Sequence, residues 1–86
     1  MRKIRAVAMP VKQNDEPEAR YANTFRTTYN RNEFIIDAGQ TIEDQEHFYV
    51  RIISSPCYAL ELSRLLSESL ERYRSTYGPV AGLEDA

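Results

Sequence analysis

The sequence predicts an α+β domain in which an antiparallel meander of three to four strands packs on one long C-terminal α-helix. Three observations support this prediction. Apolar and polar residues alternate over most of the chain before residue 55, polar turn segments interrupt the alternation, and a helix-compatible run follows from Cys57 to Tyr77. Strands followed by a separate helix are the order expected of an α+β fold.

The N-terminal segment predicts an edge strand followed by a loop. Residues 3–11 are mostly short, branched and apolar, with basic residues between them, which fits a strand better than a helix. Residues 12–18 are polar and include Pro17, so they offer no face that could be buried. We therefore expect a surface loop there.

Three further segments predict the rest of the sheet. Aromatic and polar residues alternate from Tyr21 to Thr28, and residues 29–32 supply asparagines that tolerate turn geometry. The alternation resumes over residues 33–42 and again over 48–53, on the two sides of an acidic turn at 43–46. This pattern predicts consecutive hairpins.

The register of the second hairpin can be predicted, because a slip of one residue would move every side chain to the other face. A turn centred on Asp44 brings similar side chains together and pairs opposite charges. The predicted pairs are Ile36 with Ile52, Ala38 with Val50, Ile35 with Ile53 and Asp37 with Arg51. The predicted core face consists of Phe34, Ile36, Ala38, Phe48, Val50 and Ile52.

The helix has clear start and stop signals. Ser55 is a good N-cap, Pro56 suits the first helical position, and Gly78 with Pro79 ends the run. At about 100° per residue, the apolar positions fall within an arc of about 140°, the width of a core-facing stripe. The stripe contains Tyr58, Ala59, Leu62, Leu65, Leu66, Ser69, Leu70, Tyr73 and Tyr77. We expect this side of the helix to be buried.

Length and composition limit the domain organisation. A chain of 86 residues with 42% hydrophobic residues has room for one globular domain. We predict a single α+β domain over residues 1–79 and a frayed tail over 80–86, where apolar residues are sparse.

Charge and cysteine usage limit the compartment and the partners. A net charge of −2 is too close to neutrality to indicate a nucleic-acid or membrane partner by field strength. Arg5 interrupts the N-terminus before a signal-like apolar segment develops, and Cys57 is the single cysteine of the chain. We therefore predict a cytoplasmic protein with no internal disulfide and no membrane-spanning segment.

No catalytic, cofactor-binding or metal-binding site is predicted. Cys57 lies near the start of the predicted helix, where free backbone N–H groups favour a thiolate. However, the single histidine, His47, lies at the far end of the preceding strand. An inert cysteine and a non-enzymatic protein are the preferred interpretation.

The exposed second face of the sheet predicts a partner. One helix covers one face, yet Ile35, Tyr49 and Ile53 lie on the other, and Leu60 lies on the polar side of the helix. These four residues are the predicted interface of a homo-oligomer, a dimer or larger, that also binds other proteins. So small a domain gains limited stability from its own core, which favours association.

The alternative function is single-stranded nucleic-acid binding. A sheet with exposed aromatic and arginine side chains could stack bases and neutralise phosphates. The residues concerned are Tyr21, Phe25, Arg26, Tyr49 and Arg51, with Arg2, Lys3 and Arg5 beside them. The acidic loops weaken this alternative, and nucleic acid is not the expected partner.

Several segments together resemble a known bacterial family. They are Tyr21-Ala22-Asn23, residues 33–37, Arg51-Ile52, Ser55-Pro56, and the helix positions Ala59, Leu62, Leu66, Leu70, Tyr73, Tyr77 and Gly78. The family is the domain of unknown function numbered three-four-six-seven, and the resemblance implies a bacterial or phage source but no activity. Its helix usually opens Ser-Pro-Gln-His-Ala, whereas this chain has Cys57 and Tyr58 at the two polar positions.

A second resemblance concerns architecture. Four antiparallel strands followed by a long helix are similar to the export chaperone SecB, a dimer of dimers that binds unfolded chains. This similarity favours an oligomeric protein-binding role and implies no specific site.

Overall fold

A computed structural model describes residues 16–84 and shows a three-stranded antiparallel sheet followed by one helix. The strands β1 (Thr24–Tyr29), β2 (Phe34–Ile42) and β3 (Gln45–Ser54) lie in the order β1-β2-β3, and the helix α1 spans Pro56–Tyr77. The predicted α+β meander is thereby confirmed. The strand predicted over residues 3–11 lies outside the described residues.

The first hairpin depends on an asparagine turn. β1 pairs with β2 from Thr24 opposite Gly39 to Tyr29 opposite Phe34. The Asn30 side-chain oxygen accepts hydrogen bonds from the backbone N–H groups of Asn32 and Glu33, at 2.8 and 2.9 Å. Such a side-chain turn holds the loop without a glycine.

The second hairpin has the predicted register in the half that lies away from its turn. Ile36 lies opposite Ile52, Ala38 opposite Val50, Ile35 opposite Ile53, and Asp37 opposite Arg51. A two-residue turn closes the hairpin, with Glu43 and Asp44 at φ values of 51° and 68°. Both central residues are left-handed, as a type I′ turn requires.

A β-bulge changes the pattern at the other end of this hairpin. The register shifts between Ala38 and Gly39, so that Gly39 lies opposite Phe48 and Tyr49 is the extra residue. Phe48 therefore shares a face with Gly39 and Arg26, and its predicted place on the core face was wrong. The prediction assumed strict alternation, and one inserted residue reverses the phase.

The helix begins and ends at the predicted residues. The Ser55 side chain accepts a hydrogen bond from the Tyr58 backbone N–H at 3.2 Å, and Pro56 is the first helical residue. At the other end, the Gly78 N–H donates to the Arg74 carbonyl. The following residues fold back, and the Glu84 carboxylate binds Arg74 at 2.7 Å and the Val80 N–H at 2.9 Å.

The two sheet faces differ in their neighbours. We call the side of Phe25, Thr27, Phe34 and Ile36 the inner face, because it lies toward the helix. We call the opposite side, with Arg26, Ile35, Asp37, Arg51 and Ile53, the outer face.

The helix and the inner face do not close into a core. Among residues 16–84 no hydrophobic side chain is fully buried, and Leu62, Leu66 and Leu70 remain 39%, 56% and 42% exposed. The expectation of a buried helix stripe was therefore wrong for the single chain. An amphipathic pattern identifies the side that needs cover, whereas a single three-stranded sheet leaves the gap unfilled.

Candidate functional site

An open apolar groove separates the helix from the inner face. It has a volume of about 420 Å³ and is lined mainly by hydrophobic side chains from both elements. They are Phe25, Phe34 and Ile36 from the sheet and Ala59, Leu62, Leu66 and Leu70 from the helix, with Thr27, Ser63 and Ser67 between them. The volume lies in the range of ligand pockets, but the groove has only hydroxyls as polar groups.

The apolar stripe of the helix is wider than the groove. Leu65 and Tyr58 belong to the stripe but do not line the groove, and they are 54% and 60% exposed. At 100° per residue, Leu65 and Leu70 lie on opposite edges of the arc. The helix thus offers hydrophobic surface both toward its own sheet and away from it.

The outer face carries an ion cluster around Asp37. The Asp37 carboxylate is almost fully buried and accepts hydrogen bonds from two arginines on the neighbouring strands. Arg51 Nε binds Oδ1 at 2.8 Å and Arg51 Nη2 binds Oδ2 at 3.0 Å, while Arg26 Nε binds Oδ2 at 2.9 Å. Register places all three residues side by side across the sheet.

These contacts alter the acidity of the cluster. The hydrogen bonds from Arg51 first, and from Arg26 second, lower the pKa of Asp37 from 3.8 to about 2. The Asp37 carboxylate in turn raises the pKa of Arg51. Asp37 and Arg51 are therefore both charged at neutral pH.

Two aromatic rings support arginines on this part of the sheet. The Arg26 guanidinium lies over the Phe48 ring at 4.0 Å, and the Arg20 guanidinium lies over the Tyr49 ring at 4.2 Å. Cation–π contacts of this kind restrict the planar guanidinium while its edges stay available for hydrogen bonds. The bulge at Tyr49 is what places Phe48 under Arg26.

The four predicted interface residues do not form one patch. Ile35 and Ile53 are cross-strand partners on the outer face, and Ile53 is 59% exposed. Tyr49 lies at the bulge beneath Arg20, and Leu60 is an exposed helix residue that does not line the groove. Whether any of them contacts another chain stays a prediction.

Two features escaped the sequence reasoning. Arg26 joins the predicted Asp37–Arg51 pair, and its alternation with Phe25 and Thr27 was the available signal. The groove was also missed, because most of its apolar residues were expected in a closed core.

The nucleic-acid residue set is split by the fold. Arg26 and Arg51 lie on the outer face, whereas Phe25 lines the groove on the inner face. Arg2, Lys3 and Arg5 lie outside the described residues.

The remaining residues with reactive or metal-binding side chains are isolated from one another. Cys57 is exposed near the start of the helix, and His47 pairs with Gln40 close to the hairpin tip. Over residues 16–84 there is no group of three or more His, Cys, Asp or Glu side chains that could hold a metal ion. In the same range, no helix combines the length and the apolar character needed to cross a membrane.

Comparison with known proteins gives a family and no neighbour of known activity. No curated protein matches the chain, and no solved structure matches it. One family model matches residues 2–81, nearly the whole chain, and its description is "Protein of unknown function (DUF3467)". The chain therefore belongs to the DUF3467 family of proteins of unknown function.

Proposed function

We propose that this protein is a non-enzymatic, self-associating protein-binding module of the bacterial cytoplasm, and that its basic unit is a homodimer. The observation that carries the proposal is the open groove, whose leucines remain substantially exposed. Proteins that act as monomers rarely expose continuous apolar surface of this kind.

The energetics favour occupation of the groove. Full burial of a leucine side chain contributes about 1.5–3 kcal/mol, and the groove contains three leucines that are now only partly covered. A domain of this size has little stability from its own core. A partner that fills the groove would therefore stabilise the fold and the complex together.

A second copy of the chain is the occupant that we favour. The helix stripe includes Leu65 and Tyr58, which face away from the groove and can pack against another molecule's apolar surface. In a two-fold dimer both chains contribute the same surface to the interface. The apolar side of each helix can therefore pack into the groove of the other chain.

The decisive experiment measures mass in solution. Light scattering and sedimentation should give at least twice the mass of one chain, and Leu66→Glu should shift the mass toward the monomer. Ser75→Glu adds the same charge on the exposed helix side and should leave the mass unchanged. Circular dichroism checks that the variants retain their helix.

A cross-linking experiment keeps the proposal testable if Leu66→Glu does not fold. In a Cys57→Ser background, Ser67→Cys places a thiol at the groove, and Ser75→Cys places one away from it. A short bis-maleimide should link two copies through position 67 far more efficiently than through position 75. A folded monomer at micromolar concentrations, with equal and weak cross-linking at both positions, would overturn the proposal.

Nucleic-acid binding is the alternative, and the outer face is the feature that favours it. Arg26, Arg51 and Tyr49 lie near one another there, although Phe25 does not join them. A filter-binding titration with single-stranded DNA and RNA at low salt tests this alternative. Retention that falls steeply with added salt would support it, and no retention would exclude it.

A further inference from the structure

The arginines of the outer face have hydrogen-bond donors to spare. Arg26 uses only Nε to bind Asp37, and Arg51 uses Nε and Nη2. In the part of the chain that the structure describes, no other side chain accepts from either guanidinium, and the two side chains are 51% and 60% exposed. Both Nη atoms of Arg26 and Nη1 of Arg51 are therefore available to a ligand.

Asp37 brings the two guanidinium groups together and fixes their orientation. Arg26 Nε and Arg51 Nη2 contact the same carboxylate oxygen, Oδ2, so the two groups are neighbours. The Phe48 ring restrains Arg26 further. Because the donors are already ordered, a ligand loses little affinity to the ordering of side chains.

The cluster has an excess of positive charge. Two arginines share one carboxylate, which leaves a net charge of plus one beside a shallow depression lined by Arg26, Asp37, Phe48, Tyr49, Val50 and Arg51. A single oxyanion would neutralise this charge, and the planar fork of arginine matches a carboxylate.

The surroundings favour an acidic peptide over a polyphosphate. Glu46 lies on the same face, where it accepts a hydrogen bond from Thr24, and the chain has a net charge of −2. These charges repel a long polyanion more strongly than a single carboxylate. Ile53 lies about 7 Å along the strand from Arg51 and is largely exposed, so it can contact an apolar neighbour of that carboxylate.

We propose that the outer face binds an acidic segment of a partner protein, with one Asp or Glu carboxylate bridging Arg26 and Arg51 and a flanking apolar side chain packing on Ile53. The site lies on the opposite side of the sheet from the groove. It is therefore independent of association through the groove, and failure of one proposal leaves the other intact.

The test uses a fluorescein-labelled peptide with a central glutamate between leucines and a matched peptide with glutamine in its place. Anisotropy titrations of the full chain should show at least tenfold tighter binding of the glutamate peptide. NMR spectra should show shifts of the Arg26 and Arg51 side-chain Nε–H signals on addition of that peptide.

Two substitutions locate the binding. Arg51→Lys keeps the charge next to Asp37 but removes the planar fork, and we expect about a tenfold loss of affinity for the glutamate peptide. Arg72→Lys, on the exposed side of the helix, is the matched control and should bind like the parent protein. Neither substitution should change the solution mass.

Three affinity results would overturn the proposal. They are equal affinity for the glutamate and glutamine peptides, unchanged affinity in Arg51→Lys, and tighter binding of a ten-nucleotide thymidine oligomer than of the glutamate peptide. Inorganic phosphate that shifts the same arginine signals as strongly as the peptide would also overturn it, because the site would then recognise a free oxyanion.

Discussion

Arg51 and Asp37 face each other across β2 and β3, and the arginine binds both carboxylate oxygens, at 2.8 and 3.0 Å. Arg26 binds the same carboxylate from β1. The three strands of the sheet are thus joined by one cluster of ion pairs as well as by their backbone hydrogen bonds. Removal of the central charge should affect the whole sheet.

Acid should weaken the fold through Asp37. Its folded pKa of about 2 lies below the ordinary 3.8, so the ionised carboxylate stabilises the fold above pH 4. This contribution should disappear as the pH falls from about 4 to about 2. Urea unfolding at a series of pH values across this window should show a declining midpoint.

Asp37→Asn provides the control for this effect. The variant should have a lower urea midpoint than the parent at pH 7, because two arginines lose their charged acceptor. Between pH 4 and 2 its midpoint should fall less than that of the parent. Glu84, whose pKa Arg74 also lowers to about 2, titrates in the same window. The substitution Glu84→Gln, made in both proteins, removes this second contribution to the pH dependence. Parallel pH profiles would contradict the role of Asp37.

Gly39 should be intolerant of any side chain. A Cβ atom at this position would overlap the backbone carbonyl of His47 on the opposite strand. Since backbone atoms cannot move aside cheaply, Gly39→Ala should cost about 1–3 kcal/mol or more. Thr41→Ala, on the same strand and exposed, should change the free energy of unfolding by about 0.5 kcal/mol or less. Chemical denaturation measures both.

The helix N-cap should contribute measurably to stability. The Ser55 hydroxyl accepts the Tyr58 N–H, and its loss leaves a donor of the first turn without a protein partner. Ser55→Ala should therefore cost about 1 kcal/mol in the free energy of unfolding. Ser75→Ala, in the exposed body of the helix, should be neutral or slightly stabilising. Equal effects of the two substitutions would contradict the capping role.

Stability should depend on protein concentration if the groove is filled by a second copy. Unfolding would then be coupled to dissociation, and each tenfold rise in concentration should add about 1.4 kcal/mol per mole of dimer. Thermal scans over a hundredfold range of concentration should show a rising midpoint. A midpoint independent of concentration would be the signature of a monomer.

The fold could be predicted from the sequence wherever a local pattern, such as helix capping or strand alternation, continued unbroken through an element. The N-cap and end of the helix were found from Ser55, Pro56 and Gly78, and the pairing of Asp37 with Arg51 followed from charge and alternation. Phe48 was misplaced, because the bulge depends on backbone pairing and leaves no signal in the alternation.

The candidate sites were harder to predict than the strands. Arg26 reaches Asp37 only because β1 and β2 pair in one register, and the sequence gives no cross-strand distances. The groove was missed for a different reason. A stripe of leucines indicates which side of a helix avoids water but not which molecule covers it.

The extra residue in β3 has a consequence for how this sheet could change. If Tyr49 paired with Gly39 instead of bulging, Phe48 would lie opposite Gln40 and would turn from the arginines to the helix side. The bulge thus keeps this ring on the charged surface, and it fixes the orientation of the rest of the hairpin tip in the same way. A single extra residue therefore determines which side chains of the hairpin lie on the charged face and which lie on the apolar face.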